Sequence, residues 1–447
     1  MILFDGKVFD TSEQGRLLDG LEDRINMTLA GDRLSPESVV DAIDRFGRLL
    51  GAGEMDGLIR RAGLTEFAER MKGFLPLLSR EYLLCKLRTE LGEGFFEATH
   101  TPGVCGLPGV RTIPLPLGTL FHIAAGNMDA LPAFTVVEGL LTGNVNILKL
   151  PQADSGLTLA ALAKLIEIEP KLAPYIYVFD TPSSDIAAMR RMAGLADGIV
   201  VWGGDAAVSA VRAMAPPGAK LIEWGHRLSF CYLSADWSQM TDELARLAAH
   251  IVTTEQLLCS SCQLIYLDTD DMAELEAFCR AFLPILQRAR DAHPLTEIGA
   301  VAEITLKQYT AELEAAMTGA AAVKNSVFSG NMCGIKKCGD SELELSDLFG
   351  RVSVKRLPRA EMLPVLRRSK GTLQTAGLIC DEGDRAALTA LLLRCGVNRV
   401  TSAGHMSAEF AGESHDGEYA LRRYVRVANV EMPDSQSFTD FSHKART

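Results

Sequence analysis

Five apolar runs of strand length, Leu120–Ala124, Val145–Leu148, Tyr175–Phe179, Ile199–Trp202 and Lys220–Ile222, follow one another with most of the gaps long enough for a helix. Strands joined this way lie parallel, because a parallel neighbour can be reached only through a crossover connection. The alternation therefore predicts an α/β fold with a parallel sheet. It returns between about Ser229 and Glu409, where Leu264–Leu267, a helical stretch Met272–Ala289, Val352–Val354 and Val397–Val400 follow one another. Two α/β lobes are expected, which suits a chain of 447 residues at roughly 150 residues per domain. No fixed-period repeat or low-complexity tract competes with this reading.

Ahead of the first lobe, Gly15 to Gly94 is amphipathic at helical period. Ser35-Pro36-Glu37 supplies a cap, a first-turn proline and an early acid, and Gly51 a stop. The longest uncharged run, Thr112 to Met128, is interrupted by Pro114, Pro116 and Gly118 and is too short to span a bilayer; a buried strand with its loops is expected. The first residues show no basic-then-apolar export signal, and ten cysteines without one point to reduced thiols and a cytoplasmic location. A net charge of -12 with no basic tract argues against a nucleic-acid partner.

Chemistry concentrates in three places. Cys259 stands in Glu255-Gln-Leu-Leu-Cys259-Ser-Ser-Cys262-Gln263, among small polar residues just before the run Leu264–Leu267. A thiol at such a strand entrance is reachable, whereas a structural cysteine more often has bulky apolar neighbours on both sides. Cys259 is the candidate nucleophile. Cys259 and Cys262 could instead form a redox dithiol or, with Cys333 and Cys338, a zinc site; the expectation is that no metal is bound. Next, Trp202-Gly203-Gly204-Asp205 reads as strand, glycine turn and helix start, where backbone amides can approach a pyrophosphate, although an ordinary βα turn has the same pattern. Finally, Asn127 follows a strand in Ala125-Gly126-Asn127, and Lys149 ends another, with Gln152 three residues on.

The pattern Glu255-Gln-x-x-Cys259-Ser-Ser-x-Gln263 resembles the active-site segment of the LuxC-type acyl-CoA reductases, a divergent branch of the aldehyde dehydrogenase superfamily. The resemblance is patchy and runs from about Arg80 to Met432. It implies an aldehyde dehydrogenase-like fold: an N-terminal helical segment over 1–95, a dinucleotide-binding domain over 96–228, a catalytic domain over 229–432 and a loose tail over 433–447. It implies that Asn127 and the Cys259 amide bind an oxyanion, and that Lys149 and Gly203-Gly204-Asp205 serve the nucleotide. Asp347-Leu-Phe349-Gly350 is similar to the superfamily's Glu-Ile-Phe-Gly segment, which places Asp347 at the nicotinamide ribose and Phe349 at its ring. Gln152 stands where NAD-preferring relatives often carry a carboxylate, so NADPH is expected, with NADH possible. Glu223, in a segment that resembles Glu-Leu-Gly-Gly-Lys, is either a proton donor or a structural residue. His226, Arg227 and His415 receive no role.

The implied activity is reduction of an acyl-CoA or acyl-protein thioester to the aldehyde through an acyl-enzyme on Cys259. A companion acyl-activating enzyme and a homo-oligomer are implied with it. Two alternatives stay open: oxidation of an aldehyde with Glu223 activating water, and a non-catalytic subunit that binds acyl groups.

Overall fold

A computed structural model describes residues 1–61, 75–124, 131–152, 154–295, 298–318 and 326–431. The expected tail over 433–447 lies outside them. The chain divides into two compact units, Met1–Gly225 joined by the segment from Phe410 onward, and His226–Glu409.

In the first unit all five expected runs become parallel strands. Their order is Ile176–Phe179, Val145–Lys149, Thr119–Ile123, Gly198–Trp202, Lys220–Trp224, the chain order 3-2-1-4-5 of a doubly wound sheet. The strand sequence reverses direction between Thr119–Ile123 and Gly198–Trp202. Ligands of such sheets bind beyond the carboxyl ends of the strands at this switch point. Tyr177, Phe121 and Val200 are fully buried, as strands covered on both faces require.

The N-terminal segment is not wholly helical. Ile2–Phe4 and Lys7–Phe9 form a hairpin that extends the sheet antiparallel, with Leu3 opposite Val178. Asp5 and Gly6, at φ 46° and 72°, make its two-residue turn, so the Asp-Gly pair was a legible hairpin signal. Ser35 caps the helix Pro36–Gly51 as expected.

The uncharged run from Thr112 is two strands rather than one. Val110–Pro116 lies in a three-stranded antiparallel sheet between Thr99–Thr101 and Val425–Glu431, while Thr119–Ile123 belongs to the parallel sheet. Pro114 and Pro116 are tolerated because Thr99–Thr101 pairs only as far as Thr112 and leaves that side of the strand open.

The C-terminal boundary also differs from the expected 432, because the segment from Phe410 groups with the first unit. A buried polar cluster explains why. The Lys86 ammonium pairs with Glu90 at 2.6 Å and Glu138 at 3.0 Å, and the second Glu90 oxygen accepts the Leu421 amide at 2.8 Å. Burial alone would lower Lys86, but Glu138 and Glu90 outweigh it and hold the ammonium charged. The Tyr424 carbonyl meanwhile accepts from Leu117 N and Asn144 Nδ2.

In the second unit the strand order is Ser326–Ser329, Gly334–Cys338, Arg351–Arg356, Cys262–Leu267, Leu228–Leu233, Leu373–Ile379, Arg399–Ser402, all parallel except the first. Alternate residues feed two cores. Ile265, Val352 and Val354 meet Phe278 and Phe282 on one face, and Phe230, Leu264 and Tyr266 cluster with Leu388 and Leu392 on the other. Gly334–Cys338 escapes a hydropathy reading because Lys336 and Lys337 interrupt it; Lys337 pairs with Glu276 at 2.8 Å.

Candidate functional site

The helix Thr241–Thr254 ends because Glu255 and Gln256 turn left-handed, at φ 47° and 60°. The chain then makes the turn that carries Cys259 and enters the strand Cys262–Leu267. Cys259 is exposed, while the seven other cysteines of the second unit are buried. Its carbonyl accepts from Ser229 Oγ at 2.7 Å, and that hydroxyl accepts the Thr375 amide at 3.0 Å. Ser261 Oγ accepts the Leu258 amide, and Ser260 Oγ meets Ser407 Oγ at 2.8 Å. The small polar residues around Cys259 thus hold the turn's backbone and leave the thiol outside.

Two glutamines tie this turn to a second one. Gln256 Nε2 donates to the Cys262 carbonyl at 2.9 Å, and its Oε1 accepts the Gly350 amide at 3.1 Å. Gln263 Nε2 donates to the Gln256 carbonyl, and its Oε1 accepts from Ser346 Oγ at 2.7 Å. The Phe349 amide reaches the Glu255 carbonyl at 3.0 Å. Leu348, Phe349 and Gly350 are also left-handed, at φ 63°, 49° and 80°. A non-glycine residue in that region costs roughly 1–3 kcal/mol, so four of them persist only where surrounding bonds over-determine them. Both turns lie at the amino ends of their strands, and the sheet's carboxyl edge carries neither.

The structure therefore brings Cys259's segment and the Asp347–Phe349 segment together, with Asp347 exposed and Phe349 half-buried. Sequence reading passed over Gln256 and Gln263, which flank the cysteine inside the quoted motif, and Arg290, whose guanidinium grips Glu255 with two bonds of 2.7 Å. Buried glutamines so close to a cysteine were a usable signal. Nothing in the sequence marked Arg290.

Cys262 faces the core, where burial pushes its thiol up to about 12. Cys333 is pushed to about 11 by the same cause, and Cys338 is raised as well. Among the described residues no group of three or more His, Cys, Asp or Glu side chains is placed to hold a metal ion.

In the first unit, Gly203 and Gly204 follow the strand at the switch point. The Gly203 amide is spent on the Trp224 carbonyl at 3.2 Å. Gly204 caps the helix Asp205–Met214 with no side-chain hydrogen bond, and a Cβ on it would meet nothing within 4 Å. The Ala207 amide is also spent, on the Gly204 carbonyl at 2.9 Å, so the open space at Gly204 and the start of the helix are what the turn offers a pyrophosphate, and Asp205 brings a negative charge to it. Lys149 ends its strand buried, donating to Ser183 Oγ at 2.9 Å; burial lowers its pKa, partly offset by Asp180. Gln152 is exposed in the turn beyond. Asn127 lies outside the described residues.

Glu223 is held by Arg212 through two bonds of 2.5 and 2.6 Å, and hydrogen bonding to that guanidinium keeps its carboxyl below the usual range. A carboxylate so paired has no proton to give, which favours the structural role over the donor role. His415 sits against Trp202 and Trp224, with ring centroids 5.0 and 4.9 Å away, so the returning segment packs beside the glycine turn.

The acyl-CoA reductase (LuxC) family matches residues 33–427. The chain belongs to this family. It is similar to the long-chain acyl-protein thioester reductase of Photorhabdus laumondii, 25% identical over 73% of this chain and 66% of that one, just under two thirds of the relative's length. The corresponding protein of Vibrio harveyi is 25% identical over 82% and 74%. Among solved structures, the NADP-dependent glyceraldehyde-3-phosphate dehydrogenase of Bacillus halodurans superposes with a TM-score of 0.69 at 13% identity, covering 97% of this chain and 99% of that one. The NAD-dependent benzaldehyde dehydrogenase of Corynebacterium glutamicum gives 0.66 at 15%, covering 96% and 91%. The fold of this LuxC-family chain is thus that of the aldehyde dehydrogenases. No helix among its described residues is long and apolar enough to cross a membrane.

Proposed function

We propose that this chain reduces an acyl thioester to the aldehyde through an acyl-enzyme on Cys259. The observation that carries the reading is the exposed Cys259 thiol on a turn whose backbone is fixed from Ser229, Gln256 and Gln263, beside seven buried cysteines.

The Cys259 thiolate attacks the acyl carbonyl, and the Cys259 amide with Asn127 receives the oxyanion. Collapse expels the donor's thiolate, which takes up a proton, and leaves the acyl group on Cys259. A bound nicotinamide dinucleotide supplies the hydride that reduces this thioester. The resulting thiohemiacetal breaks its carbon–sulfur bond, which releases the aldehyde and restores the Cys259 thiolate. Gly203-Gly204 and the helix start at Asp205 would hold the dinucleotide's pyrophosphate, Lys149 and Gln152 its adenosine ribose, and Asp347 and Phe349 its nicotinamide end. NADPH is preferred on this reading, since Gln152 puts no charge against a 2'-phosphate. Glu223, engaged by Arg212, takes no part in hydrolysis, which suits a reductase that must keep water from its thioester.

The relatives' name points to an acyl-protein donor; a companion acyl-activating enzyme and a homo-oligomer of this chain follow from the family resemblance alone. The test offers acyl-CoAs of graded length, and separately an acylated carrier protein, with NADPH and with NADH, following nucleotide oxidation and the product. Cys259→Ala should abolish acyl labelling and turnover together. Labelling that moved to Cys262, or a carboxylic acid formed from aldehyde without any thioester, would overturn the proposal in favour of a different nucleophile or of oxidation.

A further inference from the structure

Arg290, near the end of the helix Met272–Ala292, is 2% exposed, and its guanidinium touches both turns described above. Nη1 and Nη2 each take one oxygen of Glu255, the residue at which the nucleophile turn begins, and Nη1 also donates to the His293 carbonyl. On its other side stands Gly350. A Cβ there would lie 2.6 Å from Arg290 Nη2, so only glycine leaves room for the guanidinium. Gly350 in turn donates its amide to Gln256, the next residue after Glu255. The closed circuit Glu255–Arg290–Gly350–Gln256 joins two turns whose left-handed non-glycine residues need surrounding contacts to hold them.

We propose that Arg290 is a positioning residue for the nucleophile: it holds the Cys259 turn and the Asp347–Gly350 turn in a single register and so fixes where the thiol stands relative to Phe349. A guanidinium is required because its planar fork meets both carboxylate oxygens, which a lysine ammonium cannot do in that geometry. This rests on the reading of Cys259 as nucleophile.

The experiment compares the full-length wild type with Arg290→Lys, Arg290→Met and the double variant Glu255→Gln/Arg290→Met, each verified as folded by circular dichroism. Iodoacetamide alkylation of Cys259 is timed by peptide mass spectrometry, and kcat and KM are measured with NADPH and the acyl-CoA that is turned over fastest. A displacement of about 1 Å at a reacting group lowers rate on the order of a hundredfold, so kcat should fall by about that factor in Arg290→Met. Alkylation should slow with it while both KM values stay within about threefold. Arg290→Lys, which keeps charge and most of the volume and so secures a folded variant, should fall between. A folded Lys or double variant with wild-type kcat and alkylation would overturn the proposal, and so would lost activity with unchanged alkylation. A Cys259→Ala chain that still turns over would sink the nucleophile reading instead, and the alkylation series would still report whether Arg290 sets the posture of the turn.

Discussion

The side-chain oxygen of Gln256 accepts the amide of Gly350 at 3.1 Å, although 94 residues separate them. The same side chain satisfies the Cys262 carbonyl at 2.9 Å. One buried amide group therefore closes the backbone of two turns at once, and both residues it bonds, Cys262 and Gly350, are buried.

Gln256→Ala should leave the Gly350 amide and the Cys262 carbonyl buried without partners. Each orphaned group costs about 1–3 kcal/mol, so the chain should lose about 2–6 kcal/mol of stability. Urea unfolding followed by tryptophan fluorescence measures this. A loss below about 1 kcal/mol would mean that the two turns hold their shape without the glutamine.

Much of the fold was legible because strand-length apolar runs and helical stretches alternate, and every expected strand of the first unit formed. The hairpin at Asp5-Gly6 carried its own signal, yet helical amphipathicity in the residues beyond it dominated the reading. Gly334–Cys338 and Lys355 were hidden for another reason: lysines inside strands look exposed until Glu276, Asp340 and Glu344 are placed beside them. In the site, short-range chemistry such as Cys259 among serines could be read, and the glycine turn after Trp202 with it. Arg290 could not be read, because its partner Glu255 lies on another element and only the folded sheet brings them together.

Lys86 is the sole ammonium shared by Glu90 and Glu138 in the described hydrogen-bond network, and both acids are almost fully buried. Lys86→Met should strand the two carboxylates against each other and destabilise the first unit by about 3–5 kcal/mol. Lys86→Met/Glu90→Gln/Glu138→Gln removes the charges as a set and should recover most of that loss. Thermal unfolding of the two variants side by side decides it; equal destabilisation would show that shape rather than charge governs the site.

Two buried histidines predict an acid limb of stability. Burial depresses His122 to about 4, partly offset by its bond to Asn146, and burial with Arg399 depresses His250 to about 4. A histidine whose folded pKa lies below its unfolded 6.5 contributes stability that is complete above pH 6.5 and is lost as pH falls towards about 4. Denaturant midpoints measured between those limits should fall with two protons taken up on unfolding. His122→Gln should remove about one proton from that slope, and a slope unchanged in the variant would place the acid sensitivity elsewhere.

Gln152 tests the nucleotide preference. It is exposed in the turn after Lys149, where the nearby Asp154 is already engaged, accepting the Gly156 amide at 2.8 Å and Thr158 Oγ1 at 2.6 Å. Gln152→Glu introduces a carboxylate of the same size without disturbing any hydrogen bond described for the turn. Repulsion of a 2'-phosphate by roughly 1.4 kcal/mol corresponds to about tenfold in affinity, so KM for NADPH should rise about tenfold while KM for NADH stays level or falls. The difference should shrink at high salt, because the group is exposed and screened. Equal effects on both nucleotides would place the adenosine end away from this turn and withdraw Gln152 from the cofactor site.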